Sequence, residues 1–236
     1  MKNHINIDDY TKPGFYVDST APNVLEFARI HGQGNTLREK AINLFCAVRD
    51  GFRYDPYHII FEPEEFKASV RLTRDSGFCI HKAIILTAVA RAAGIPARLA
   101  FADVRNHLNT KRLRDLVQTD VFHYHGITEL FLDGRWLKVT PAFNIELCEK
   151  FGVRPLDFDG TADCILHQYD MRGNRHMEYL KFHGSYADFP YELVHRDFVR
   201  SYPAMFAAEE AGAKDDFDFA QEAEEENKQR LANEGI

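Results

Sequence analysis

The sequence predicts an α+β domain, and three observations carry that expectation. Helical spacing of apolar residues dominates the chain ahead of Pro96, and strand-like alternation dominates Ala97 to Val139. Helices in series followed by strands in series point to segregated layers rather than to βαβ units. The third observation is a run of good helix formers, Ile80 to Ala93, apolar nearly all round, as a centrally buried helix requires.

Each element has a local reason. Residues 1–22 read as a loosely structured leader, with Pro13-Gly14 and Ala21-Pro22 as turn signals. A short helix follows over Asn23–Ile30. Asn35-Thr36 can cap a second helix, Leu37–Arg49, which sets Ile42, Leu44, Phe45 and Val48 on or near one face and stops at Asp50-Gly51. Phe52–Pro56 leaves it extended, and 57–74 is a connector with a helical turn near Pro63 to Val70. After the apolar helix, Gly94 suits a left-handed terminating residue and Pro96 prevents continuation.

Ala97–Val104 reads as a strand, and 106–119 as a polar insertion whose Lys111, Arg112 and Arg114 form a solvated basic cluster. Val121–Leu132 and Arg135–Val139 pair through a hairpin turn at Asp133-Gly134. A short helix capped by Asn144 is expected over Asn144–Phe151. Strands at Ala162–Tyr169 and His176–Phe182 and a helix at Glu192–Ser201 complete the body. The expected organisation is one domain over residues 1–204, with a core at 37–143 and an extension of the sheet at 153–204. An acidic tail at 205–236, solvated and helical or disordered, follows.

Composition narrows the function classes. The chain has 236 residues, is 45% hydrophobic, and has 19 Phe and 10 Tyr against one Trp, so it can build a core of single-ring aromatics. The net charge of −7 resides entirely in the tail; the body is balanced and offers no electrostatic footprint for nucleic acid. No apolar run reaches the roughly 18 residues needed to span a membrane. The N-terminus lacks a signal-peptide pattern, and the four cysteines lack CxxC spacing, so a cytoplasmic, disulfide-free protein is expected.

Cys79 follows Asp75-Ser76-Gly77-Phe78 and opens the apolar helix. A thiol in a first helical turn faces unpaired N–H groups and the positive end of the helix dipole, which favour thiolate and can hold an oxyanion. Cys46, Cys148 and Cys164 read as packing residues. A thiol nucleophile needs a base, usually histidine. His123 and His125 lie two apart on a predicted strand and would share one face, with Gly126 leaving space above it for a cleft. His81 would point about 200° around the helix from Cys79 and is a poor base for it.

Gly77-x-Cys79 with Ala-Arg-Ala-Ala-Gly-Ile-Pro-Ala-Arg at 90–98 resembles the nucleophile segment of the transglutaminase-like superfamily of papain-like cysteine enzymes. Phe52–Pro56 resembles the family's aromatic segment ahead of the cysteine. The family pattern then has His four before Glu, a turn, and Trp with Asp four later. His125, Glu129, Asp133-Gly134 and Trp136 match it, over roughly residues 37–143. The resemblance implies Cys79 as nucleophile, His125 as base and Tyr54 as a further oxyanion donor. Two positions depart: Ile127 replaces an aromatic residue, and Thr140 stands where the aspartate is expected. Thr140 could orient the imidazole as a neutral acceptor, Asp157, Asp159 or Asp163 could substitute, or the site could be silent.

The expected function is a cysteine-dependent hydrolase or acyltransferase on an amide or peptide carbonyl, needing no cofactor, with a peptide or small amide as partner. The rival readings are a catalytically silent scaffold and a zinc site on His123, His125 and His107.

Overall fold

The computed structural model describes residues 6–210 and 217–233. Nine helices of these residues are α1 (Pro22–His31), α2 (Leu37–Gly51), α3 (Ala68–Arg71), α4 (Cys79–Ala92), α5 (Lys111–Val117), α6 (Ile145–Phe151), α7 (Tyr191–Ser201), α8 (Pro203–Glu210) and α9 (Phe219–Asn233). The strands are β1 (Arg53–Tyr54), β2 (Ser76–Gly77), β3 (Ala97–Asn106), β4 (Val121–Leu132), β5 (Arg135–Val139) and β6 (Met177–Tyr186). The four longer strands form one antiparallel sheet in the order β5-β4-β3-β6, and β1 pairs with β2 in a separate parallel ribbon. The α+β expectation holds.

α4 is the hub. It packs on β4 and against α1, α2 and α3, and every residue from Cys79 to Arg91 is buried. The sequence presents this helix as apolar nearly all round, yet it carries a fully buried Lys82. Its Nζ donates to the carbonyls of Arg49 (2.8 Å) and Phe52 (2.7 Å), satisfying groups that the end of α2 leaves open. α2 itself starts on a reciprocal capping box between Thr36 and Glu39, which explains why the element is legible in sequence.

Five expectations need correction. The leader is anchored rather than loose among its described residues. Asp188 accepts from the N–H groups of Phe15 (2.6 Å) and Val17 (2.9 Å), Val17 is fully buried, and Tyr10 packs edge-on against Trp136. The 106–119 insertion is not a solvated loop but contains α5, capped by the Thr110 hydroxyl. Residues 162–169 form no strand, only isolated bridges from Cys164 to Val139 and from Tyr169 to Arg175. The sheet is completed instead by β6 on the β3 edge. Asn144 precedes α6 without capping it, because its side chain accepts from Tyr54 N–H (3.1 Å).

The described part of the tail is helical, but it is packed and not solvated. α9 docks on α6, with Phe219 and Ala223 buried. Its acids meet the basic cluster of α5: Glu222 accepts from Arg112 (2.6 Å) and from the Tyr57 hydroxyl, and Glu226 lies 3.6 Å from Arg114. Opposite charges on two helices make a contact that neither shows alone. Lys214, Asp215, Asp216 and Glu234 lie outside the described residues.

Burial of histidine makes this fold acid-sensitive. His125 and His176 are driven down to about 4 by burial, and buried His81 is lowered as well. Folded-state values below the unfolded one mean that stability is fully present above pH about 6.5 and is lost as pH falls toward 4. His125 and His176 each account for on the order of 3 kcal/mol across that window. Urea midpoints are expected to fall steeply between pH 6.5 and 4; an unchanged midpoint at pH 4.5 would contradict this assignment.

Candidate active site

Cys79 is the first residue of α4, and its N-cap, Phe78, makes no side-chain cap bond. The helix therefore presents unpaired N–H groups where the sulfur lies. Gly126 on β4 is the contact that brings strand to helix. A Cβ there would sit 2.8 Å from the Cys79 carbonyl oxygen and 2.9 Å from Ile80 Cα. The space above Gly126 is thus filled by the first turn of α4 and is not a substrate cleft, as the sequence suggested.

Burial pushes the Cys79 thiol up to about 11, against the backbone N–H groups of Gly126, Ile80 and Cys79, which favour the thiolate. Burial thus works against the thiolate character expected from the helix start, desolvation being the larger of the two opposed effects. His125 is also neutral at rest, since burial lowers it to about 4. The pair is a thiol and an imidazole, with no direct hydrogen bond between them, both lining one cavity.

The third position is distinctive. Thr140 follows β5 and is 1% exposed; its Oγ1 is buried without a hydrogen-bond partner. His125 Nε2 is buried without one too, so the bond expected between them is not formed. The polar neighbour of Thr140 is the Tyr179 hydroxyl, whose ionised form it favours; the Tyr179 ring lies edge-on to His125 at 6.3 Å. No carboxylate contributes to the His125 shift. Among the acids suggested as substitutes, Asp159 accepts from Thr161 N–H (2.7 Å) and Asp163 from Lys138 N–H (2.9 Å), while Asp157 acts on Cys46 and Cys164.

Thr140→Asp is accordingly expected to favour imidazolium and lower the pH midpoint of Cys79 alkylation. An adjacent carboxylate typically moves such a group by about 1–3 pH units. A midpoint unmoved from that of the unmodified chain would show that position 140 does not reach the base.

Tyr54 lines the cavity beside Cys79. Burial first, and the Cys79 sulfur second, raise its hydroxyl well above the ordinary tyrosine value. Its ring stands edge-on to Phe143 (4.8 Å) and 5.7 Å from Phe219 of the tail helix. His81, by contrast, packs between Phe66 and Phe78 at 5.0 and 4.4 Å, away from any polar partner.

His123 and His125 do not share an unbroken face. His123 and Tyr124 together oppose Asp103 in a bulge between the Ala102–His125 and Val104–Phe122 pairs, and Tyr124 has φ +55°. The bulge sets His123 Nδ1 3.2 Å from Asp103 Oδ1, and His183 Nε2 on β6 is 2.6 Å from the same oxygen. Nothing local in the sequence joins positions 103, 123 and 183. The zinc reading finds no ligand set: among the described residues no group of three His, Cys, Asp or Glu side chains is disposed to hold a metal ion, and His107 is taken by Glu178 (3.1 Å).

Residues 27–141 match the family model of the transglutaminase-like superfamily. No curated protein matches the chain. Similar solved structures include a "putative cysteine protease" from Cytophaga hutchinsonii, at 15% identity and a TM-score of 0.45, over 78% of this chain and 55% of that one. Another is a "putative protease" from Parabacteroides distasonis, at 18% identity and a TM-score of 0.37, over 56% and 24% of the respective chains. The chain thus spans about half the length of the first of these, 55%.

Proposed function

We propose, on the match of residues 27–141 to the transglutaminase-like superfamily, that this chain is an amide hydrolase with Cys79 as nucleophile and His125 as base. One observation supports this most: the first turn of α4 is seated on Gly126, so that Cys79 and the residue before Gly126 line a single cavity.

The reaction starts from a neutral pair. As Sγ forms its bond to the substrate carbonyl carbon, its proton passes to His125. The oxyanion is held by the first-turn N–H groups of α4, with the Tyr54 hydroxyl as the additional donor. Collapse breaks the C–N bond, and His125 returns the proton to the leaving amine. Water, deprotonated by the same imidazole, then attacks the thioester carbon, releasing the acid and restoring the thiol. Both charges form only during reaction, which suits a buried site that disfavours them at rest.

A second reading assigns the base to His123. The observation behind it is the Asp103 carboxylate on His123, a partner that His125 lacks.

The covalent step is tested by intact-mass spectrometry after reaction with p-nitrophenyl octanoate. One octanoyl group on Cys79, released by hydroxylamine and absent in Cys79→Ala, is the expected result. Equal acylation of Cys46, Cys148 or Cys164, unaffected by that substitution, would overturn the assignment.

A further inference from the structure

We propose that the acyl group this site accepts is an unbranched apolar chain, carried by a small-molecule amide and not by a protein side chain. The inference rests on the hydrolase reading for the identity of the reacting bond, and on the shape and chemistry of the cavity for everything else.

The cavity that Cys79 and His125 line has a volume of about 60 Å³. At roughly 10–15 Å³ of such space per water, that is room for a handful of waters or for one short chain of carbon atoms. Its walls are apolar side chains from separate elements, including Ile59, Val104 on β3, Leu113 on α5 and Met177 on β6. Two further wall residues come from the C-terminal helices: Met205 on α8 and Phe219 on α9. A surface loop of a folded protein would have to displace these helices, which the ion pairs from α9 to α5 oppose.

The polar content of the wall fits an amide. Asn109 is 5% exposed, and both atoms of its carboxamide are buried without partners. A buried, unpaired amide is unfavourable, and a substrate amide offers the acceptor and donor that Asn109 lacks. Charged side chains are missing from the described lining apart from the two histidines, so a charged acyl group would be desolvated without compensation.

The test uses the full chain carrying Cys79→Ser, titrated with acetamide, octanamide and a glutamine-containing hexapeptide in a calorimeter. Burying each methylene contributes about 0.8 kcal/mol, close to fourfold in affinity, so octanamide is expected to bind at least 100-fold more tightly than acetamide. It should also protect the native Cys79 from alkylation. Ile59→Asp and Met205→Asp, both at partly buried positions, are expected to weaken octanamide at least fivefold and leave acetamide unchanged. Acetamide and octanamide within threefold of each other, or a hexapeptide that binds more tightly than octanamide, would overturn the proposal. The readout is binding, so it stands apart from the acyl-enzyme test. Selective octanamide binding without Cys79 acylation would remove the hydrolase reading and leave the ligand class; acylation with no preference for chain length would do the reverse.

Discussion

His125→Ala is expected to lower kcat/KM by about 10²–10⁴-fold, the usual contribution of a positioned general base. His123→Ala is expected to lower it far less, because in this reading its pairing with Asp103 shapes the cavity wall without touching the reacting atoms. The pH profile separates the two histidines further. A base acts when unprotonated, and burial holds His125 down to about 4. The rate should therefore be level through neutral pH and fall only as pH drops toward 4. The alkaline side should stay level up to the Cys79 value of about 11. If His123→Ala is the more damaging substitution, the base is His123, and the Asp103 carboxylate replaces Thr140 as its support.

Gly126→Ala carries the second large effect. The added methyl would meet main-chain atoms of Cys79 and Ile80 at 2.8 and 2.9 Å, and main chain cannot rotate away as a side-chain tip can. Either β4 or the first turn of α4 must shift. Overpacking of this kind typically destabilises by about 1–3 kcal/mol. A displacement near 1 Å at a nucleophile is worth about 100-fold in rate. The expected outcome is a folded protein with a modestly lowered Tm and kcat/KM down by about 100-fold. Wild-type turnover in this variant would mean that the approach of helix to strand does not position the nucleophile.

The tail illustrates why part of the architecture is not legible in order along the chain. Ten acidic residues against three basic ones from Met205 onward read as a solvated segment. Lys111, Arg112 and Arg114 separately read as a solvated cluster. Each is correct as local chemistry, and it is their juxtaposition that makes a docked helix and brings Phe219 to the cavity wall.

Elements governed by local signals are legible along the chain. The Thr36 capping box, the Gly94 and Pro96 stop, the Asp133-Gly134 hairpin and the apolar run of α4 are all short-range, and the structure contains the elements they imply. The ordered landmarks Cys79, His125 and Trp136 likewise lie in linear sequence, so the superfamily resemblance could be drawn from them. The electrostatics of the site follow from packing instead. Whether Cys79 is thiol or thiolate depends on how much water α4, β4 and the C-terminal helices exclude. Whether His125 has an acceptor depends on what β5 and β6 bring beside it. Desolvation and long-range partners are properties of packed elements, and no spacing along the chain encodes them.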